Sequence, residues 1–196
     1  MNDGEVKRTL RQRIIALRDG LSEGQRRSHS GRICAAILEL GAYREARMVA
    51  AYMSIGSEPE TRALAQHALT SGKGLALPRI NRGKDGLELY EVRDLAADLK
   101  PGVWGIPEPD PGRCRPVADL GELGFILVPG VAFGREGERL GYGKGYYDRL
   151  LRQVGSGIPR VAGAFSLQVI PGVPMEPADE WIDLVVTEAG SFGRGN

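Results

Sequence analysis

The sequence predicts an α/β fold in which a mainly parallel sheet lies between two layers of helices, in a three-layer α/β/α arrangement. Short apolar segments with the composition of buried strands alternate along the chain with segments whose apolar residues recur at helical spacing. That alternation is typical of parallel sheets covered by helices on both faces. The length of 196 residues, without an internal repeat, fits a single domain over residues 1–196.

The composition is that of an ordinary globular protein and narrows the classes of partner. The formal net charge of +1 gives no broad positive field for nucleic acid. No apolar run approaches the roughly 20 residues of a membrane span, and the charged N-terminus lacks a signal-peptide core. Cys34 and Cys114 form no motif, so two reduced thiols are favoured over a single disulfide. We therefore expect a cytoplasmic monomer with no nucleic-acid or membrane partner.

The helices are predicted from apolar residues at helical spacing and from capping residues. The first covers residues 5–19 and carries a basic face on which Lys7 and Arg11 are neighbours. From the spacing alone, a solvated basic face is favoured over one that reaches phosphates. Ser22 is a good N-cap for the second helix, which ends near residue 40. The next two helices are predicted over residues 61–71 and 146–154.

Apolar segments bounded by turn residues mark the strands. The segment at residues 87–92 alternates apolar and polar residues, which favours an antiparallel or more exposed strand. A short helix and turn over residues 94–104 lead into an extended proline-rich loop over 105–111, and residues 191–196 form a frayed tail. The other strands are predicted at residues 47–53, 73–78, 124–129, 160–165 and 184–187.

A glycine-rich turn at residues 139–149, RLGYGKGYYDR, is the strongest candidate for a binding site. Its alternating glycines precede the N-terminus of a predicted helix, where free backbone N–H groups and the helix dipole stabilise an anion. Arg139 and Lys144 add positive charge, and Asp148 in the first helical turn is suited to hold a magnesium ion against phosphates. A nucleoside triphosphate with its metal therefore fits this loop.

Two better-known phosphate-binding loops are excluded by single residues. A Walker A loop requires glycine where Glu138 stands and Ser or Thr where Gly145 stands. The dinucleotide fingerprint requires a small residue where Tyr146 stands. A flexible turn with one solubilising lysine is the alternative, and the neighbouring arginine, tyrosines and aspartate favour a functional loop over it.

Other carboxylates are weaker candidates when the pattern is taken alone. Glu58 lies in a loop after a predicted parallel strand, the position where ligands of such sheets bind. Glu60 in the same loop suits the N-terminus of the next helix, where it complements the dipole. Asp179 and Asp183 are candidate metal ligands, although a turn or strand-edge role is favoured for each.

Six segments in this order resemble the 5-formyltetrahydrofolate cyclo-ligase family, and the match covers nearly the whole chain. Each segment is modest alone, but their order and the long match in the glycine-rich turn make the resemblance specific. It implies a layered α/β/α sheet similar to sugar-phosphate isomerase and coenzyme A transferase domains. The segments are KRTLR at 7–11, YMSIGSEPET at 52–61, WGIPEP at 104–109, LVPGVAF at 127–133, RLGYGKGYYDR at 139–149 and DLVVTE at 183–188.

The resemblance implies a ligase that uses ATP and Mg²⁺ to convert 5-formyltetrahydrofolate to 5,10-methenyltetrahydrofolate, releasing ADP and phosphate. The implied route is phosphorylation of the formyl oxygen and attack by nitrogen 10. The resemblance also implies that the basic face of the first helix reaches ATP, which reverses the preference for a solvated face. It selects Asp179 as second metal ligand, although Ala178 replaces a histidine found in some members. The implied residues are catalytic Lys144 and Arg139; ATP-binding Lys7, Arg8, Thr9, Leu10, Arg11, Arg139, Leu140, Gly141, Tyr142, Gly143, Lys144, Gly145, Tyr146 and Tyr147; folate-binding Met53, Glu58, Trp104, Gly143, Lys144, Gly145, Tyr146 and Tyr147; and metal-binding Asp148 and Asp179.

Two other classes of protein share this fold and predict different residues. A catalytically silent relative that binds RNA or another protein would be expected to lose Lys144 or Asp148, and the chain keeps both. An enzyme acting on sugar phosphates would need an acid and a base, and the sequence supplies no recognisable pattern for them. Fold analogy alone is a weak basis for that assignment.

Overall fold

The strands of the protein assemble into one large sheet and two small hairpins. In the computed structural model the described residues are 3–81, 83 and 85–193, without the side chain of Trp104. The strands are β1 (Met48–Ala50), β2 (Gly74–Asn81), β3 (Gly86–Val92), β4 (Leu99–Pro101), β5 (Pro107–Pro109), β6 (Arg115–Pro116), β7 (Phe125–Leu127), β8 (Ala132–Phe133), β9 (Arg139–Leu140), β10 (Arg160–Gly163), β11 (Leu184–Thr187) and β12 (Gly190–Gly193).

Within the described residues the large sheet has eight strands, in the order β12-β11-β10-β7-β1-β2-β3-β6. The five strands from β11 to β2 run parallel to their neighbours, with Val49 of β1 opposite Leu75 and Phe125. Antiparallel strands complete both edges of the sheet. The mainly parallel sheet predicted from the sequence is therefore confirmed, as is the antiparallel strand expected at residues 87–92.

The helices pack on both faces of the sheet because neighbouring strand residues point in opposite directions. Val49 belongs to the apolar cluster that includes Ile37 and Leu64, whereas Ala50 belongs to the cluster that includes Leu150. This arrangement confirms the predicted α/β/α layers. The helices are α1 (Asp3–Asp19), α2 (Glu23–Leu38), α3 (Gly41–Glu45), α4 (Arg62–Thr70) and α5 (Tyr146–Val154), and short 3₁₀ turns lie at Val103–Gly105, Leu120–Glu122 and Ser166–Gln168.

Local signals in the sequence account for the helix boundaries. Ser22 forms the predicted N-cap of α2 as part of a capping box, in which its Oγ accepts from Gln25 N–H at 3.2 Å. Helix α1 does not pack on the large sheet in the way α2 does. Its buried Ile14 instead lies in a third apolar cluster with Ala132 and Leu140 of the β8–β9 hairpin. That hairpin leads into the glycine-rich turn, so α1 is held beside it.

Three predictions of local structure are wrong. The helix expected over residues 94–104 is replaced by β4 and a 3₁₀ turn, because Pro101 and Gly102 oppose a continuing helix. The loop expected over 105–111 contains β5, which pairs antiparallel with β4. The tail expected from residue 191 contains β12, whose backbone pairs with β11, while residues 194–196 lie outside the described part. Backbone pairing of short strands needs no apolar pattern, which explains why β4, β5 and β12 were missed.

Cys34 and Cys114 are free thiols, and both are buried. Among the described residues, none of the helices combines the length and apolar content needed to cross a membrane.

Candidate functional site

A cavity of about 630 Å³ opens beyond the ends of strands β1 and β7, next to the glycine-rich turn. Strand β1 ends at Ala50, so the buried residues Tyr52 and Met53 continue from it as loop and reach the wall of the cavity. Helix α1 closes one side. The sequence-predicted residues that line it are Lys7, Arg11, Met53, Glu58, residues 139–147, Asp148 and Asp179.

The glycine-rich turn takes a conformation that its glycines make possible. Gly143 and Gly145 have φ angles of 95° and 64°, in the left-handed region where a side chain is strained. Gly145 is the N-cap of α5, so the free N–H groups of the first helical turn lie at the cavity. Lys144, between the two glycines, is exposed to solvent. This end of the cavity therefore provides backbone donors and a free ammonium group for an anion.

Helix α1 is tied to the turn by one of the predicted N-terminal cations. Arg11 Nε donates to the carbonyl oxygen of Gly141 at 2.7 Å. Lys7 is buried and its Nζ donates to Asp179 Oδ2 at 2.6 Å. The face of α1 that carries Lys7 and Arg11 is thus directed at the site. The neighbouring Arg8 and Thr9 are exposed, and Leu10 packs against the apolar cluster of Ile14, so these three do not line the cavity.

Arg139, a predicted phosphate ligand, is buried in the wall of the cavity and already paired. Its Nη2 donates to Asp148 Oδ1 and its Nη1 donates to the carbonyl oxygen of Pro129 at 3.4 Å. Asp148 Oδ1 also accepts from Glu180 N–H at 3.1 Å. The structure thus brings a predicted catalytic cation and a predicted metal ligand into contact with each other.

The two predicted metal ligands lie at the same cavity and are both held by cations. Burial opposes the charge of Asp179, but the hydrogen bonds from Lys7 and from Glu176 N–H, together with the charges of Lys7 and Arg139, lower the pKa of the carboxyl. Burial likewise disfavours the charge of Lys7, and Asp179 and Glu176 together raise its pKa. Mg²⁺ is commonly held by one or two carboxylates together with phosphate oxygens, so this donor set fits that ion. Asp183 is exposed and instead accepts from Arg160 N–H at 2.8 Å, at the strand edge.

Glu58 lines another part of the same cavity and is only 5% exposed. Its Oε1 accepts from the Tyr142 hydroxyl at 2.6 Å, and its Oε2 accepts from Ile55 N–H at 2.9 Å. Burial raises the pKa of the Glu58 carboxyl, and the two hydrogen bonds and the charge of Arg18 oppose that rise. A buried carboxylate at a cavity wall is suited to accept hydrogen bonds from a bound heterocycle.

Apolar side chains form much of the rest of the cavity wall. The residues that line it are Pro78, Ile80, Leu87, Ile106 and Pro107. An apolar wall of this kind suits the packing of a flat ring system. The side chain of Trp104, the predicted stacking wall, lies outside the described part of the chain.

Sequence reasoning missed Arg18, which is buried and hydrogen-bonded to Tyr142 of the glycine-rich turn. A signal for it was present, because Lys7, Arg11, Ile14 and Arg18 share one face of a helix at spacings of four, three and four residues. Glu108 was missed as well. It is buried at the cavity wall, 3.7 Å from Arg79, within a segment expected to be loop.

Comparisons with known sequences agree with this geometry. Residues 3–188 match the model of the 5-formyltetrahydrofolate cyclo-ligase family. The chain is 31% identical to a probable 5-formyltetrahydrofolate cyclo-ligase of Caenorhabditis elegans, over 94% of this chain and 93% of that protein. It is also 31% identical to the 5-formyltetrahydrofolate cyclo-ligase of Haemophilus influenzae, over 89% of this chain and 94% of that protein.

Solved structures with a similar fold carry a related name. The NMR structure of Aquifex aeolicus 5,10-methenyltetrahydrofolate synthetase has a TM-score of 0.85 at 35% identity, covering 97% of this chain and 94% of that chain. A 5,10-methenyltetrahydrofolate synthetase from Mycoplasma pneumoniae has a TM-score of 0.75 at 21% identity, covering 93% of this chain and 98% of that chain. The second likeness supports the fold alone.

Proposed function

The chain belongs to the 5-formyltetrahydrofolate cyclo-ligase family, and we propose that both substrates of the family's reaction bind in the one cavity beside the glycine-rich turn. The reaction is the ATP-dependent conversion of 5-formyltetrahydrofolate to 5,10-methenyltetrahydrofolate, as the resemblance in the sequence predicted. The chain is thus a ligase of folate metabolism. The observation that supports shared binding is that a single cavity borders both the glycine-rich turn and Glu58.

The need for ATP follows from the chemistry of the formyl group. Its carbon is a poor electrophile because the attached nitrogen donates into the carbonyl, and its oxygen is a poor leaving group. In the proposed route the formyl oxygen attacks the γ-phosphorus, and the bond from that phosphorus to the bridging oxygen breaks to release ADP. Nitrogen 10 then attacks the activated carbon and loses its proton, and the carbon–oxygen bond breaks to release phosphate. The protein's task is to orient the reactants and to neutralise developing charge.

The phosphate end of the cavity is the proposed nucleotide site. Lys144 is the proposed catalytic cation on the transferring phosphoryl group, and Arg139 the second once a phosphate competes for its guanidinium. Backbone N–H groups at the start of α5 and the side chain of Arg11 would hold the remaining phosphate oxygens. The proposed site covers residues 7–11 and 139–147, with Arg8, Thr9 and Leu10 contributing only through the position of α1.

Magnesium is proposed as the metal of the reaction, held by Asp148 and Asp179. The support is that both carboxylates line the cavity next to the proposed phosphate site and that their donor chemistry suits the ion. When bound, the ion would supply positive charge against the phosphate oxygens. In its absence Lys7 and Arg139 supply the compensating charge beside Asp179 and Asp148.

The part of the cavity around Met53 and Glu58, the folate end, is the proposed folate site. Glu58 would accept hydrogen bonds from the pterin ring, and Met53 would pack on its face. Trp104 stays a predicted stacking wall, since its side chain lies outside the described part. Residues 143–147 line the same cavity as Glu58, and they would border the formyl group and the γ-phosphate together.

The organisation and location of the protein stay predictions. We propose that residues 1–196 act as one domain, supported by the continuous sheet that joins β1 to β12. The monomeric state and the cytoplasmic location rest on the composition of the sequence. Light scattering on the purified chain would measure the first directly.

The function is tested by following absorbance of the methenyl chromophore after mixing protein, 5-formyltetrahydrofolate, Mg²⁺ and ATP. The expected result is a rise that requires ATP, stops when EDTA is added and resumes with excess Mg²⁺. A flat trace from protein with a folded circular dichroism spectrum would contradict the assignment and favour the silent binder. A rise that survives EDTA would keep the reaction and remove the metal.

A further inference from the structure

Arg18 is a buried arginine in the last turn of α1, with only 3% of its surface exposed. Its Nε donates to Ser57 Oγ at 2.9 Å, and its Nη2 donates to the Tyr142 hydroxyl at 3.0 Å. Burying a guanidinium is costly unless its hydrogens and its charge are matched. Arg18 is absent from the described residues that line the cavity, so its partners identify its role.

The hydrogen bonds of Tyr142 have a fixed direction because arginine can only donate. The Tyr142 hydroxyl therefore accepts from Arg18, and its one hydrogen is left to donate to Glu58 Oε1 at 2.6 Å. The guanidinium also lies 5.9 Å from the centroid of the Tyr142 ring. Arg18 thus fixes both the ring and the proton of the residue that holds Glu58.

A second branch of the same network reaches the loop that carries Glu58. Ser57, which precedes Glu58, accepts from Arg18 Nε and donates to Asp19 Oδ1. The other oxygen of Glu58 accepts from Ile55 N–H. Arg18 is therefore bound on one side to the glycine-rich turn and on the other to the loop at residues 55–58.

We propose that Arg18 is a positioning residue for the folate reaction and that it orients the Glu58 carboxylate through Tyr142 and Ser57. The proposal rests on the proposed role of Glu58 in folate binding. It adds a consequence for the two substrates, because Tyr142 belongs to the nucleotide end of the cavity and Glu58 to the folate end. The turn is linked to Glu58 directly through the Tyr142 hydroxyl and also to the loop of Glu58 through Arg18 and Ser57.

The charged and titratable groups around Glu58 determine how loss of Arg18 changes the pH profile. Tyr142 donates to Glu58, and the phenols of Tyr52 and Tyr147 add to its electrostatic surroundings. Burial raises the pKa of Glu58, and the positive charge of Arg18 acts to lower it. Without Arg18 the pKa of Glu58 rises further, so the carboxylate is protonated at a higher pH as pH falls. The acidic limb of kcat/KM for folate then moves to higher pH.

The test compares Arg18→Met with Arg13→Met, which removes an exposed arginine from the same helix. At neutral pH we expect Arg18→Met to lower kcat/KM for 5-formyltetrahydrofolate about tenfold or more, since hydrogen bonds to charged groups are at stake. Its acidic limb should move to higher pH, and that of Arg13→Met should match the wild-type limb. An acidic limb left in place in folded Arg18→Met protein would overturn the proposal.

Tyr142→Phe keeps the test decisive if Arg18→Met does not fold, because it removes only the hydroxyl group. We expect the same movement of the acidic limb, since the bond that favours the Glu58 carboxylate is lost. An unmoved limb in Tyr142→Phe would equally overturn the proposal. The wild-type protein is measured in the same assay. If the assigned reaction is wrong, the wild-type protein shows no ATP-dependent cyclisation; if only the role of Arg18 is wrong, the wild-type protein is active and the acidic limb of the variants stays in place.

Discussion

The two ends of the cavity are built in different ways. The phosphate end is made largely from one continuous stretch, the glycine-rich turn and the first turn of α5, and from backbone groups within it. At the folate end Glu58 is held by side chains that are distant in sequence, since Tyr142 and Glu58 are 84 positions apart and Arg18 and Ser57 are 39 positions apart. A contiguous site leaves a motif that can be read in the sequence. A dispersed site exists only once the chain has folded.

The largest expected effect is at the phosphate end, in Lys144→Ala. Loss of a charge that acts on the transferring phosphoryl group is expected to lower kcat about 10²–10³-fold. The fold should be kept, because the Lys144 side chain is exposed. Steady-state kinetics measure the change, and a thermal melt checks the fold.

Lys100→Ala is the matched control for Lys144→Ala. Lys100 forms an exposed pair with Asp110 and does not line the cavity, and such surface pairs contribute little. Its kcat should stay within about twofold of wild type. Near-normal turnover in Lys144→Ala would remove this lysine from the mechanism and leave the phosphate end to backbone donors.

A smaller and differently distributed effect is expected at the folate end, in Glu58→Ala. The loss of hydrogen bonds from a buried carboxylate should raise the folate KM about 10–100-fold and the ATP KM much less. The adjacent Glu60→Ala serves as control, because Glu60 is exposed and does not line the cavity. If the folate KM of Glu58→Ala equals that of Glu60→Ala, the pocket role of Glu58 is refuted.

The same difference between continuous and dispersed features explains how much of the fold was predictable. Helix α5 was predicted at residues 146–154 because its apolar face repeats within nine residues, and α2 because Ser22 is a good N-cap, which the structure shows as part of a capping box. Strands β5 and β12 were missed, since each depends on backbone pairing with a partner strand rather than on its own side chains. Interactions between residues that are close in sequence can be predicted from the sequence, whereas the pairing of strands from distant segments cannot.

For the site, the pattern predicted the phosphate loop and the resemblance predicted its partners. Lys7 and Arg11 were recognised only through the resemblance, because a basic helix face is ambiguous until the fold shows what it faces. Arg18 was missed as well. Its spacing places it on that same face, but spacing alone does not show that its side chain is buried. The pairing of Arg139 with Asp148 was also beyond prediction, because each was assigned separately to a ligand.

The smallest expected effect is that of Gly143→Ala compared with Gly56→Ala. The comparison separates loss of stability through backbone strain from loss of ATP binding at the turn. Both glycines have positive φ, 95° and 55°, so each alanine is expected to cost about 1–2 kcal/mol of stability. A loss of about 2–4 °C in Tm per kcal/mol should therefore appear in both. At Gly56 an added Cβ meets nothing within 4 Å, whereas at Gly143 it lies 3.4 Å from the Arg11 guanidinium carbon.

Only Gly143→Ala should also raise the ATP KM, by about tenfold, because its methyl group occupies space at the turn where phosphates are proposed to approach the backbone. Gly56→Ala should keep the wild-type ATP KM at the same loss of Tm. Equal ATP KM values in the two variants would mean that the turn binds phosphate through Lys144 and Arg11 alone. The phosphate end would then be a side-chain site like the folate end, and its glycines would serve only to form the turn.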